Sequence, residues 1–513
     1  MRIEFASPGA VSSGACVVGV VAGRRLCPTA EELDGREVLT RAMAASPRFT
    51  GAEAQTLTVM APEGLACSRV VLVGLGAVED MDGRRARTLG GTIAALLSTS
   101  GETHADVALD LDDGRTMATG TDLLAELALG LRLRAHRTLS GYRTRHDPDE
   151  DTTPTLTTVT IRTDHPEALH LVWQKLAPVA EGVILARELT AEPANHLTPE
   201  SFITRIRAMS DLGLTLEVLD ENALARQGLG LLLAVGQGSR HRPRLAVVRW
   251  QGAEDPDEPP VVLIGKGITF DTGGLSLKHG ESVHEMKGDM AGAATALGVL
   301  RGLAGRGANV NAAAVLPLAE NMPDGGATRP GDVVRSYAGL TVEIVDTDAE
   351  GRLILADALA YARKTLRPRV MIDLATLTGA IITTLGRHHA GLFSPDDALA
   401  ARLVALGTEV GERLWRMPLL GPEVDEDMRS DIADLKNASH ERLVPDALDA
   451  ARFLQRFVEP GDDTAGAPTP PWVHLDVAGV TENDEDTPLA PKGPTGFGVL
   501  LLDRLIGRYY EGG

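Results

Sequence analysis

From residue 261 onward the chain alternates short apolar runs with stretches of helical spacing, and this alternation most constrains what it can fold into. VVLIGKG (261–267), NAAAVLPLA (311–319), TVEIVD (341–346) and RVMIDLAT (369–376) read as buried strands. Ala291 to Leu303 and Leu353 to Lys364 read as helices between them. The pattern predicts an α/β fold whose larger C-terminal domain carries a mostly parallel mixed sheet covered by helices. In such sheets ligands bind beyond the carboxyl ends of the strands, so the residues following each run deserve the closest reading.

Residues 1–165 read as a separate N-terminal α/β domain, with strand-like runs at Ala15 to Val21 and Val70 to Gly74 and helical runs at Gly90 to Leu97 and Asp122 to Leu133. The polar, Pro-containing stretch from His136 to Thr163 places a boundary, and GDDTAGAPTPP (461–471) reads as a loop insertion. Residues 166–190 are expected to form a connecting helix, with Leu169, Val172, Leu176, Val183 and Leu189 on or near one stripe, before a domain spanning 191–513. A dinucleotide site after VVLVGLG is disfavoured, because Glu79 stands where G-x-G-x-x-G needs its third glycine.

With only 8 Phe, 4 Trp and 5 Tyr, the core must be built from Ala, Val, Leu and Ile, and stacking platforms for single-stranded nucleic acid are not expected. Fifty basic against 71 acidic residues give a net charge of −21, which repels phosphate backbones and anionic membranes. Arg240, Arg242 and Arg244 then read as a solvated loop. Three cysteines, Cys16, Cys27 and Cys67, without C-x-x-C spacing exclude a disulfide framework and suit a reducing cytoplasm. The N-terminal segment lacks a signal-peptide pattern, and no uncharged apolar stretch reaches the roughly 18 residues that span a bilayer.

Three acidic segments carry the chemistry. GKGITFDTGGLSLK (265–278) sets Lys266, Asp271 and Lys278 around a glycine-rich turn, without the spacing of a phosphate-binding loop. MKGDMAGAA (286–294) places Asp289 before a helix, where it also reads as an N-cap. TVEIVDTDAEGRLILADAL (341–359) sets Asp346, Asp348 and Glu350 at alternate positions, which share a face if the chain is extended, or form an acidic first helical turn. Each segment is expected at the carboxyl end of a buried strand. Convergence of Asp271, Asp289, Asp348 and Glu350 would crowd four negative charges, a load that two divalent ions balance. Oxygen ligands without Cys favour Mg, Mn or Zn over copper or an iron–sulfur cluster. HEMKG (284–288) has Gly288 where H-E-x-x-H needs a second histidine, and no G-x-S-x-G elbow occurs.

These three blocks resemble the signature segments of the leucyl aminopeptidase family of two-metal metallopeptidases. AEPANHLTPE (191–200), NMPDGGATRPGDVV (321–334), DLATLTGA (373–380), DIADLKN (431–437), HLDVAG (474–479) and GPTGFGVLLL (493–502) extend the resemblance over most of residues 185–505. It implies metal ligands Lys266, Asp271, Asp289, Asp348 and Glu350, with Lys278 and Arg352 as the catalytic pair. Lys266 and Asp289 are expected on the more exchangeable metal, and a ligating Lys266 must be neutral, its pKa depressed by several units below about 10.4. Arg352 is implied to hold a bicarbonate that serves as general base, and Lys278 to stabilise the oxyanion. Met286, Thr376, Leu377 and Gly379 are implied to line an apolar pocket for the N-terminal side chain, with a broad preference for leucine-like residues. The implied substrates are short peptides and the implied assembly is a homohexamer. Asp346 departs from the family's usual Asn, and Ala291 from a common Gly. Two rivals stay open: a non-catalytic scaffold that kept the fold, and a dipeptidase specialised for one dipeptide.

Overall fold

The computed structural model describes residues 1–9, 14–111, 114–138, 142, 144, 153–419, 421–439, 446–459 and 469–512. Part of the expected boundary loop and residues 461–468 of the expected loop insertion lie outside these. The chain divides into two compact units, residues 1–180 with 484–492, and residues 181–483 with 493–513.

The first unit is built on β1 (Arg2–Ala6), β2 (Ala15–Val21), β3 (Arg25–Leu26), β4 (Thr56–Met60), β5 (Arg69–Gly76), β6 (His104–Ala108) and β7 (Thr158–Arg162), in the order β1-β7-β6-β2-β5-β4 with β3 beside β2. β2 is buried on both faces, as its unbroken apolar run dictates. Its residues alternate between two cores: Val17 and Val21 pack with helices Gly83–Leu97 and Met117–Ala135, while Cys16, Val18 and Val20 pack with Leu39 and Met43 of the helix Val38–Ala45. The helix predicted from residue 166 runs over Pro166–Ala191.

The second unit contains β8 (Thr215–Leu219), β9 (Arg244–Gln251), β10 (Val261–Gly265), β11 (Gly267–Asp271), β12 (Asn311–Asn321), β13 (Asp332–Arg335), β14 (Thr341–Ile344), β15 (Val370–Ala375), β16 (Ala390–Phe393), β17 (Leu414–Arg416), β18 (Leu435–Lys436) and β19 (Trp472–Asp476). The main sheet runs β17-β16-β19-β15-β10-β12-β9-β8, with β11 beside β12. Its centre is parallel across β12, β10, β15 and β19, and antiparallel pairings join β9 and β16 to that centre. Alternation along β10 sorts Val262 and Ile264 into one core, shared with helices Gly230–Gly236, Glu350–Leu366 and Asp446–Val458. The helix Ala291–Gly305 packs with helix Val499–Tyr509.

One expectation is corrected. TVEIVD supplies β14, but β14 belongs to a separate three-stranded sheet, β13-β14-β18. Its burial alternates, Val342 and Ile344 inward, which marks a half-covered strand and not one from the doubly covered centre. Asp346 and Asp348 therefore reach the site from a small accessory sheet.

Candidate active site

The carboxyl ends of β10 and β15 and the end of β11 open into a cleft of about 260 Å³. Lys266 sits between β10 and β11, and Asp271 closes β11. Gly273 and Gly274 then turn the chain with φ of +85° and +67°, in the left-handed region where glycine is favoured, bringing Lys278 back beside Asp271. Asp289 ends the 3₁₀ turn Glu281–Gly288. It is not the N-cap of the following helix; that position is Met290, and the Asp289 carboxylate points to Lys266 instead.

Asp346, Asp348 and Glu350 do not lie in extended chain. β14 has ended, Asp346 Oδ1 accepts the Asp348 N–H at 2.9 Å in a tight turn, and Glu350 opens the helix Glu350–Leu366. Asp346 consequently parts from the other two, which join Asp271: ligand atoms of Asp271, Asp348 and Glu350 lie within 4.8 Å of one another.

Two ammonium groups stitch this acidic cluster. Lys266 Nζ is 2.8 Å from Asp289 Oδ1 and 2.8 Å from Glu350 Oε1, and donates to the Thr376 carbonyl at 2.9 Å. Lys278 Nζ is 2.8 Å from Asp271 Oδ2 and 2.5 Å from Asp348 Oδ1. Burial works against the Lys266 ammonium, but Asp289, Glu350 and Asp271 outweigh it and hold its pKa above the ordinary lysine range. With only these residues around it, Lys266 is the cation that neutralises its neighbours. Burial raises the carboxyls of Asp289, Asp348 and Glu350, with lysine contacts pulling each back.

The donor set fits a divalent cation. Asp289 Oδ2 and Glu350 Oε2 are buried without a hydrogen-bond partner, an arrangement that costs roughly 1–3 kcal/mol or more per charged group unless something binds there. Asp271 Oδ1, by contrast, is satisfied by the Gly273 N–H at 2.9 Å and Asn321 Nδ2 at 2.8 Å, which aims its other oxygen towards Lys278.

Met286, Thr376, Leu377 and Gly379 line the same cleft, joined by Ile382. Thr376 Oγ1 also donates to Asp289 Oδ1 at 2.6 Å. Arg352 alone stands outside it, in an adjoining polar cavity that shares Lys278, Asp348 and Leu377 with the cleft. Its Nη1 donates to the Asn437 carbonyl at 3.0 Å and its Nη2 to Asp446 Oδ1 at 2.7 Å, while Nε has no partner. Arg352 thus holds one carboxylate and one main-chain oxygen.

Several supporting residues went unread in the sequence. Asn437 accepts the Val345 N–H at 2.9 Å and donates to the Asp346 carbonyl at 2.6 Å, clamping the turn that bears Asp348. Asp476 accepts Thr378 Oγ1 at 2.7 Å and the Leu377 N–H at 3.2 Å, fixing the loop after β15. Both lie in segments that carry the family resemblance, DIADLKN and HLDVAG, and for Asp476 a polar residue within an apolar run is the available signal.

The profile of the cytosol aminopeptidase family's catalytic domain matches residues 184–502, and that of its N-terminal domain matches residues 17–144. A probable cytosol aminopeptidase of Rhodopseudomonas palustris is 42% identical over 510 residues, covering 99% of this chain and 98% of the relative. One from Caulobacter vibrioides is 41% identical and covers both chains fully. Among solved structures, the bottromycin maturation enzyme BotP in complex with Mn superposes with a TM-score of 0.82 at 34% identity, covering 97% of this chain and 99% of that one. A mutant of tomato leucine aminopeptidase gives 0.85 at 30% identity, covering 99% and 96%. With both family domains matched in order and the fold shared along nearly the whole chain, the protein belongs to the cytosol aminopeptidase family and is an aminopeptidase, a peptide hydrolase.

Proposed function

We propose that the chain releases N-terminal residues, leucine-like ones by broad preference, from short peptides at a site holding two divalent ions. The observation that carries this reading is the convergence of Asp271, Asp348 and Glu350 beside buried, unpartnered oxygens of Asp289 and Glu350. Lys266, Asp271, Asp289, Asp348 and Glu350 hold the metals, manganese or zinc, with magnesium as a third option. When bound, such ions polarise a carbonyl and lower the pKa of water.

The protein's own groups do the rest. Lys278, half-buried and carried by the glycine turn, offers an ammonium to the oxygen that gains negative charge as the peptide carbonyl becomes tetrahedral; a preorganised donor of this kind contributes about 3–4 kcal/mol. Arg352 keeps Nε unpartnered at the edge of the adjoining cavity, which suits a small oxyanion such as bicarbonate acting as general base. Met286, Thr376, Leu377 and Gly379 receive the first side chain, and their apolar wall separates side chains by only about 1–3 kcal/mol per methylene, hence the breadth.

Residues 191–513 act as the catalytic domain, after an N-terminal domain of residues 1–165 and a connecting helix over 166–190. The enzyme works in the cytoplasm as a homohexamer. No helix among the described residues is long and apolar enough to cross a membrane, and the −21 charge disfavours nucleic acid.

The test is hydrolysis of leucine p-nitroanilide and a small dipeptide panel by wild type and Asp289→Ala after chelation and readdition of Mn, Zn or Mg. Activity restored by metal in wild type and not in the variant is expected. Failure of metal-loaded wild type to release an N-terminal residue from any peptide overturns the reading and brings the scaffold alternative forward.

A further inference from the structure

The polar cavity beside the cleft, about 300 Å³, is lined by Lys278, Asp348 and Arg352 of the reaction site and also by Asp346, Asp446 and Asp449, which that site does not use as ligands or catalytic groups. It borders Lys278, Asp348 and Leu377, the same residues that border the cleft. With a peptide's amine and first side chain in the cleft and its scissile carbonyl near Lys278, this adjoining space is within reach of its second residue.

The wall there is acidic. Among the described lining residues, Asp346, Asp446 and Asp449 stand with Arg352, and Asp348 with Lys278, so four negative charges against two positive leave a formal −2. Arg352 is already engaged with Asp446 at 2.7 Å, and Lys278 is taken up by Asp271 and Asp348. Asp346 spends Oδ1 on the Asp348 N–H. Asp449 is the decisive residue: 2% exposed, on the first turn of helix Asp446–Val458, with Oδ1 buried and without a hydrogen-bond partner. Burial, reinforced by Asp427, pushes its carboxyl up to about 6, so at neutral pH it is still mostly ionised. An ionised carboxylate with one buried, unpartnered oxygen, lining a cavity of this size, points to a cationic ligand.

We propose that Asp449 and Asp346 make this cavity a subsite for a lysine- or arginine-like side chain on the second residue of the peptide. The proposal rests on the aminopeptidase reading above and adds a substrate class to it. A peptide cation is favoured because the cavity far exceeds one ion in volume and its carboxylates come from two separate elements, the turn after β14 and helix Asp446–Val458.

The test compares kcat/KM of metal-loaded enzyme for leucyl-lysinamide, leucyl-norleucinamide and leucyl-glutamic acid amide. Norleucine matches the lysine stem without its charge, and the amide removes the terminal carboxylate. Lysine is expected to exceed norleucine by on the order of tenfold, the scale of one charge-assisted hydrogen bond, with glutamate the poorest. The lysine-to-norleucine ratio is expected to fall towards one in Asp449→Asn and, independently, in Asp346→Asn, which lies on a half-buried turn and serves should the helix variant fail to fold. The ratio within each variant is the readout, so a general loss of rate does not mimic the result. Equal rates for lysine and norleucine in wild type, or a ratio unchanged in both variants, overturn the proposal. If neither amide nor leucine p-nitroanilide is cleaved, the catalytic reading itself has failed. Calorimetric binding of the two amides then decides the subsite, with tighter binding of the lysinamide sustaining it and equal binding refuting it.

Discussion

Asn437 offers a direct test of how the turn carrying Asp348 and Glu350 is held in place. Its side chain is fully buried, accepts the Val345 and Asp346 N–H groups at 2.9 and 3.3 Å, and donates to the Asp346 carbonyl at 2.6 Å. It does for this turn what a third residue of β18 would do, since β18 stops pairing with β14 just before it. Asn437→Ala leaves two amide donors and one carbonyl without partners. Each costs about 1–3 kcal/mol when dry, but Asp346 is half-buried and water can reach part of the turn, so a loss of about 2–4 kcal/mol is expected. Arg352 bonds to the Asn437 main-chain oxygen, a contact that the substitution retains. The functional effect should therefore appear in the turn: apparent Mn affinity falling about 10–100-fold, as when a group that orients a ligand is removed. Denaturant unfolding of chelated protein measures the first effect, and activity titrated with Mn the second. Wild-type metal affinity in a variant that has lost the expected stability would refute the claim that Asn437 positions Asp348 and Glu350.

Three other outcomes follow from the packing. Asp357 is fully buried in helix Glu350–Leu366 and accepts the Leu232 and Tyr337 N–H groups at 3.0 and 2.8 Å, so Asp357→Ala should cost about 2–4 kcal/mol in denaturant unfolding, and a loss under 1 kcal/mol would contradict this. Burial also raises its carboxyl to about 7, above the ordinary 3.8, so its contribution is fully present below about pH 4 and is lost as pH rises through 7; stability of wild type relative to Asp357→Asn should decline across that window, and a flat difference would count against it. A Cβ at Gly351 would lie 2.7 Å from Lys266 Cε and 2.9 Å from its Nζ, which Asp289, Glu350 and Thr376 hold in place; Gly351→Ala should therefore lower kcat/KM on the order of 100-fold with little change in fold by circular dichroism, whereas near-wild-type kinetics would show that Lys266 is free to move.

Much of the architecture was legible because burial on both faces leaves an uninterrupted apolar run. The apolar run Ala15–Val21 is a strand over its whole length, and the runs from 261, 311 and 369 all form central strands. TVEIVD was misplaced for the same reason in reverse. Six residues do not contain enough periods to separate a doubly covered strand from a half-covered one, and sheet membership is decided by partners, here the neighbouring β13 and the distant β18, that the run itself does not name. At the site, residues within dense acidic blocks announced themselves and ten of the eleven candidates line one cleft. Asn437, Asp446, Asp449 and Asp476 did not. None of them belongs to a dense acidic block, and the importance of each comes from what the fold brings beside it.

The site's charge explains why its composition serves chemistry and not stability. Asp271, Asp289, Asp348 and Glu350 supply four negative charges, and Lys266 and Lys278 return two. A formal −2 remains in a cleft where Asp289 and Glu350 each keep a buried oxygen without a partner. Apolar residues of similar volume would stabilise this position better, because desolvating ionic groups costs more than imperfect pairing returns. Lys266 shows the same tension. A sequence reading that assigns it to a metal requires a neutral amine, yet with only carboxylates around it the ammonium is the form the protein favours. The two are consistent if Lys266 occupies with its own charge a position also suited to an added cation. Because the ammonium is fixed by three oxygen partners and by the missing side chain at Gly351, that position is kept open and shaped whichever cation fills it.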